Sequence, residues 1–228
     1  LMKRGKRYRE ALGKVDRQAG LQVEEAVTKL KELPSANFDE TVEVSMKLGI
    51  DVRQSDQQLR GSYSLPKGIG KSLRVIVFAQ GDKADEAREA GAIEVGDDDL
   101  VKKIEDGWMD FDVAIASPDM MRFVGKLGRT LGPKGLMPSP KSGTVTNDVA
   151  QAVSEFAAGK VEYRTDNTGN VHVPVGKKSF EAGDLVQNIS AFIDHIKASK
   201  PTGIKGRFIE KAVVSTTMSP GLRLEMGS

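Results

Sequence analysis

The sequence predicts an α/β protein of two domains, one built from both ends of the chain and the other, Rossmann-like and three-layered, inserted between them. Three observations predict it. Alternation of apolar and polar residues, the mark of half-buried strands, lies towards both ends. Near-continuous apolar runs, the mark of strands buried on both faces, lie in the middle and alternate there with helical patterns. The crossings between the two regimes, near Leu65–Lys71 and Ala158–Lys160, both contain glycine, which suits a hinge. The expected boundaries are 1–66 with 160–228 for the discontinuous domain and 67–159 for the insert.

The elements follow in order. Residues 3–17 read as a basic helix or arm. Val23, Ala26, Val27 and Leu30 fall at i, i+3, i+4 and i+7, which predicts an amphipathic helix over 22–33, ended by Pro34. Val42, Val44, Met46 and Leu48 alternate with polar residues in a strand stopped by Gly49. A polar loop over 51–60 leads to a short return strand at 61–65. The runs LRVIVFA (73–79) and FDVAIA (111–116) read as buried strands, with a shorter one at 92–95. Helices are expected at 83–90, 98–105, 118–126 and 148–158. This order implies a parallel sheet covered on both faces. A hairpin is then expected, with Val161–Arg164 and Val171–Val175 reversing through Asp166–Asn170. A long helix over 181–198 places Leu185, Ile189, Phe192, Ile193 and Ile196 on one face, and FIEKAVVSTT (208–217) reads as the last strand.

Composition narrows the function. With 39% hydrophobic and 29% charged residues the chain suits a globular protein with one or two modest cores. It has no apolar run near 18 residues, which argues against a membrane-spanning helix, and its basic start has no apolar stretch behind it, as a secretory signal requires. The absence of cysteine excludes disulfides and thiolate chemistry, and a cytoplasmic location is expected. The net charge of +2 conceals an asymmetry: residues 1–66 and 160–228 hold 22 Lys/Arg against 17 Asp/Glu, whereas 67–159 hold 12 against 15. The end-built domain is therefore +5 and the insert −3, so the former suits a polyanionic partner. Seven basic residues crowd 1–17, among them Lys3, Arg4, Lys6 and Arg7. A second concentration spans 120–147, which carries Arg122, Lys126, Arg129, Lys134 and Lys141 and no acid.

Motifs for catalysis are missing. LPKGIGKS (65–72) resembles a phosphate-binding loop, but it starts with leucine and leads into a strand rather than a helix. No GxGxxG follows the first buried strand, where Gln80-Gly81-Asp82 stands. His172 on a strand and His195 on a helix have no nucleophile or carboxylate cluster in sequence around them. Asp97, Asp98 and Asp99 are accounted for by helix capping and the helix dipole. No catalytic residue, metal site or cofactor is expected. An enzyme on the Rossmann-like insert remains the rival reading, since fold permits it. A general single-strand-coating protein is a third, which aromatics at 5% argue against. Gly125–Gly143 is the most unusual stretch, with five glycines, three prolines and four basic residues. Such a loop can present backbone N–H groups and cations to phosphate, and Leu136 with Met137 suggests that part of it packs down.

Several stretches are specific together: GKRYREA (5–11), NFDETVEVSMKLGID (37–51), RGSYSLPKGIGK (60–71), DGWMDFD (106–112), LGRTLGPKGLMPSPKSGTV (127–145) and STTM (215–218). In this order they resemble the ribosomal protein L-one family, in its bacterial form, over essentially the full chain. The resemblance implies a structural, non-enzymatic protein of the large ribosomal subunit that binds 23S rRNA, forms the mobile stalk near the exit site, and assists release of deacylated E-site tRNA. It also implies repression of translation through the leader of its own operon mRNA, and a monomer off the ribosome. The family's RNA contact centres on a Phe-x-x-Thr segment and a Thr-Met segment. Here these are Phe38 and Thr41, with Glu40 adjacent, and Thr217 and Met218. Ser219 stands where glycine usually follows Thr-Met. Lys3, Arg4, Lys6 and Arg7 are expected to add phosphate contacts, and Arg129, Lys134 and Lys141 to form a transient tRNA or RNA contact loop.

Overall fold

The computed structural model describes residues 5–204 and 206–226. Lys3 and Arg4 lie outside the described residues. In chain order, α1 (Lys6–Gly13) and α2 (Val23–Glu32) precede β1 (Thr41–Leu48) and β2 (Arg60–Ser64). Then come β3 (Val75–Phe78), α3 (Asp82–Glu89), β4 (Glu94–Gly96), α4 (Asp98–Glu105) and β5 (Val113–Ala116). Short helical turns include α5 (Met121–Val124) and α6 (Gly128–Leu131), and α7 (Val149–Ala157) follows. The chain closes with β6 (Lys160–Arg164), β7 (Asn170–Lys177), α8 (Ala182–Ala198), β8 (Ile209–Thr216) and β9 (Leu222–Leu224). None of the described helices is long and apolar enough to cross a membrane.

The described residues form two compact units, one from the chain up to Gly70 and from Val161 onward, the other from Lys71 to Lys160. In the first, four antiparallel strands run in the order β7-β1-β8-β9. Val44 of β1 pairs with Val173 on one side and Val214 on the other. Alternation in β1 sends Val42, Val44, Met46 and Leu48 to one face, each fully buried. Helices α2 and α8 pack together over that sheet, supplying Ala26, Val27 and Leu30 from one and Leu185, Ile189, Phe192 and Ile196 from the other. A fully buried Leu or Phe contributes about 1.5–3 kcal/mol by leaving water, so this face fixes the register. The opposite face of β1 carries the more accessible Thr41, Glu43, Ser45 and Lys47.

The second unit is a parallel sheet in the order β4-β3-β5. Every residue of β3 is buried. Val75 and Val77 face a cluster with Ala84, Ala87, Val149, Val153 and Phe156, while Ile76 and Phe78 face Leu100, Ile104, Val124, Leu127 and Leu131. Helices therefore cover both faces, and the continuous apolar run is the sequence record of that double burial.

Three local expectations are corrected. Residues 161–164 and 171–175 do not form a hairpin: β6 pairs with β2, and β7 with β1. The two arms are joined by a bridge between Thr165 and Val171 and, at the turn, by the Asp166 N–H donating to the Asn170 carbonyl (2.8 Å). The Asp166 carboxylate accepts N–H bonds from Thr168 and Asn170 (2.8 Å each) and Gly169 takes φ 78°, so the turn redirects the chain towards a different sheet. The single helix expected at 118–126 is instead a succession of short 3-10 and α turns reaching Leu131, broken where Gly125, Gly128 and Gly132 weaken helix propagation. Asp97 makes no capping bond at the start of α4, and its carboxylate accepts from the Gln80 side chain instead (3.1 Å).

Candidate nucleic-acid interface

The site-bearing segments meet because β1 and β8 are neighbours. Their pairing sets Val42 opposite Thr216, and one step further the chain closes a polar contact across 176 residues. Thr217 N–H donates to the Thr41 carbonyl (3.1 Å), and Thr41 N–H donates to the Thr217 hydroxyl oxygen (3.1 Å). The Lys177 ammonium donates to the Thr41 hydroxyl (2.8 Å).

Glu40 organises both segments. It is 1% exposed, so the residue expected at the contact surface lies beneath it. Oε1 accepts from the Ala36 N–H (2.6 Å), while Oε2 accepts from the Thr216 hydroxyl and the Met218 N–H (3.1 Å). Burial opposes ionisation of this carboxyl, but the bonds from Thr216, Ala36 and Met218, together with the nearby Lys178 charge, outweigh it and hold the pKa below the ordinary value. One carboxylate thus ties the loop before β1 to the turn after β8.

What that arrangement displays is apolar. Phe38 is 54% exposed and Met218 47%, large side chains left in water at the two segments Glu40 holds. Large exposed apolar groups beside organised polar groups mark contact surfaces. Ser219 completes the turn: its hydroxyl accepts from the Thr216 N–H (2.9 Å) and donates to the Pro220 carbonyl (3.1 Å). Non-glycine residues of positive φ are absent from the described chain, so a serine here needs no strained backbone.

Cations bond the loop before β1. Arg7 of α1 donates to the Ser35 carbonyl (3.3 Å), bringing its helix beside the loop, and Lys6 is exposed. Sequence reasoning missed Asp39 and Lys178. The Asp39 carboxylate accepts from the Ser179 N–H and hydroxyl (3.1 and 2.7 Å), and Lys178 donates to the Leu33 carbonyl (2.7 Å) and the Ser35 hydroxyl. The paired lysines just past the alternating run of β7 were the available signal.

The expected second contact loop lies in the other unit. Arg129, Lys134 and Lys141 are exposed there. The loop is anchored beneath them: the buried Thr144 hydroxyl accepts from the Ser139 N–H (2.9 Å) and bonds the buried Ser142 hydroxyl (3.1 Å), and Leu136 and Met137 pack on the core. The same unit has a cleft of 710 Å³ at the C-terminal ends of β3 and β4, where nucleotides commonly bind in such sheets. Its lining includes Asp85, Glu94, Asp97 and Asp99 against Arg88 and Lys103, an acidic balance that repels phosphate.

Comparison with known proteins decides the family. Residues 30–220 match the Ribosomal protein L1p/L10e family. The chain belongs to that family. It is 56% identical over 228 residues to the large ribosomal subunit protein uL1 of Lactiplantibacillus plantarum, covering all of both chains. It is 55% identical over 223 residues to the protein of the same name from Kosmotoga olearia, covering 98% of this chain and 96% of that one. That from Fervidobacterium nodosum is 56% identical over 225 residues, with 98% and 96% covered. The family is a structural constituent of the large ribosomal subunit rather than an enzyme, and the chain takes that role with it.

Proposed function

We propose that the unit built from both chain ends binds a folded segment of 23S rRNA through the patch formed by Phe38, Thr41, Thr217, Met218 and Ser219, with Lys6 and Arg7 adding phosphate contacts. Lys3 and Arg4 belong to the same proposal by sequence. The observation that carries it is the exposure of Phe38 and Met218 on two segments locked together by a buried Glu40. Apolar groups exclude water from such a contact, and threonine hydroxyls and turn N–H groups can bond sugar or phosphate. The inserted unit, proposed as a separate domain, presents Arg129, Lys134 and Lys141 for transient contact with E-site tRNA and so assists its release from a mobile stalk. Binding of a similar fold in the leader of its own operon mRNA would repress translation through the same patch. Off the ribosome the protein is proposed to be a cytoplasmic monomer.

Filter binding tests the central assignment. A transcript of the rRNA stem junction should bind tightly, and bulk RNA of equal length should compete weakly. The double variant Phe38→Ala/Met218→Ala should lose that preference while keeping its fold. If it retains wild-type affinity and preference, the patch is not the RNA site.

A further inference from the structure

The glycine-rich segment Leu65–Lys71 plays no part in the interface above, yet the fold treats it with care. Asn188, on α8, is a fully buried polar side chain. Its Oδ1 accepts the N–H of Lys67 (3.0 Å), and its Nδ2 donates to the carbonyls of Gly68 (2.9 Å) and of Val175 in β7 (2.8 Å). Only a side chain with one acceptor and two donors on the same carbon meets all three, so neither aspartate nor leucine can replace it. The segment is held elsewhere too. Leu65 and Ile69 are buried, and Lys67 pairs with Asp184 (3.1 Å). Gly68 and Gly70 take φ of 63° and 69°, and the Phe180 ring lies 2.6 Å from where a Cβ on Gly70 would stand. Past Gly70 the partners change: Lys71 and Arg74 both bond Asp112 of the other unit (2.8 and 3.1 Å).

We infer that Asn188 is a positioning residue that fastens residues 65–70 to the end-built unit, so that pivoting in the first connection between the units is confined to Lys71–Arg74. A glycine-rich connection thereby acts as a short pivot instead of a loose tether. The sequence alone suggests flexibility throughout 65–71, because two glycines stand there. The geometry assigns those glycines the opposite role: their positive φ lets the strap follow the surface of α8 and β7. The inference does not depend on what the protein binds.

The test uses the full-length protein and residue-resolved amide hydrogen exchange. In the unmodified chain the Lys67 amide, which donates to Asn188, should be protected to the same order as amides of β7. Asn188→Leu, similar in size, removes all three bonds. It should accelerate exchange at Lys67 by about tenfold or more, the effect of a lost buried hydrogen bond, and leave β1 and β8 unchanged. Spin labels on Lys29→Cys and Glu89→Cys, one in each unit, read the second part: Asn188→Leu should broaden their distance distribution. An unprotected Lys67 amide in the unmodified protein overturns the inference without any variant, which covers the case in which Asn188→Leu does not fold. Unchanged exchange at Lys67 in the folded variant, or an unchanged distance distribution, overturns it equally.

Discussion

Thr217 and Thr41 bond each other through main chain and side chain at once, so substituting Thr217 tests two roles that can be told apart. Thr217→Ala removes the acceptor for the Thr41 N–H and, on the proposed reading, a hydroxyl that meets RNA. A buried group left without its partner costs about 1–3 kcal/mol, which predicts a five- to 150-fold loss of specific affinity. The salt dependence should hardly change, because no charge is removed, whereas Lys6→Ala/Arg7→Ala should flatten it and weaken nonspecific binding alike. Affinities at several salt concentrations, beside a melting curve, check both. A Thr217 that only secures the strand end would lower the melting temperature and leave the folded protein's affinity intact. Glu40 carries a pH signature. Its folded pKa lies below the ordinary value near 4.5, so its stabilising effect is fully present above pH 4.5 and is lost as pH falls through the folded value. Glu40→Gln keeps the size but cannot ionise. Urea unfolding should therefore find the variant less stable at pH 7 and show a smaller drop between pH 6 and pH 3 than in the unmodified chain. An equal drop in both proteins would remove Glu40 from the acid response.

At the scale of elements, the helices and strands were largely legible, and their partners less so. Val42, Val44, Met46 and Leu48 announce a strand because period two is the period of a half-buried sheet. The same pattern in Val161–Arg164 says which residues turn inward but not against which strand. Hence a hairpin was expected where β6 instead joins β2. The site divides in the same way. Phe38, Thr41, Thr217 and Met218 became visible only through family resemblance, since Ser/Thr and one apolar residue at a strand end are ordinary compositionally. Glu40 entered the expected contact through the same resemblance, as the neighbour of Thr41, and nothing local reveals the three donors that bury it. Asn188 was equally silent, since it reads as one more polar position in an amphipathic helix. The β2·β6 pair leans on α8 through aromatic contacts: Phe192 lies 5.7 Å from the Tyr163 ring and 6.2 Å from Tyr63, and the Tyr163 hydroxyl shares a hydrogen bond with His195 Nε2 (2.8 Å). Phe192 is fully buried. Phe192→Ala should cost about 3–5 kcal/mol, measured by urea unfolding. A loss under 1 kcal/mol would mean that the cluster contributes little to holding the ribbon.

The molecule as a whole separates charge by unit, with +5 in residues 1–66 and 160–228 and −3 between them. On the proposed division of labour, Lys134→Glu/Lys141→Glu should leave binding to the isolated rRNA site within about twofold, because exposed cations that are not part of the patch act mainly through screened long-range fields. It should slow or otherwise alter tRNA departure in a ribosome carrying the variant, followed by a fluorescent tRNA. Equal loss of static rRNA binding would move this loop into the primary interface. The pairing of Thr41 with Thr217 has a further consequence, in time rather than in space. A ribosome making this chain delivers β1 first, the whole parallel unit next, and β8 only after that unit. Contacts so distant in sequence form late, since the intervening chain must be made and closed first. The inserted unit, whose strands and helices are near neighbours in sequence, can fold before β8 is made. The patch cannot, because Glu40 has neither Thr216 nor Met218 to hold until those residues have left the exit tunnel. On the proposed reading, the capacity to bind RNA therefore arrives only after β8 and the turn that follows it have been made.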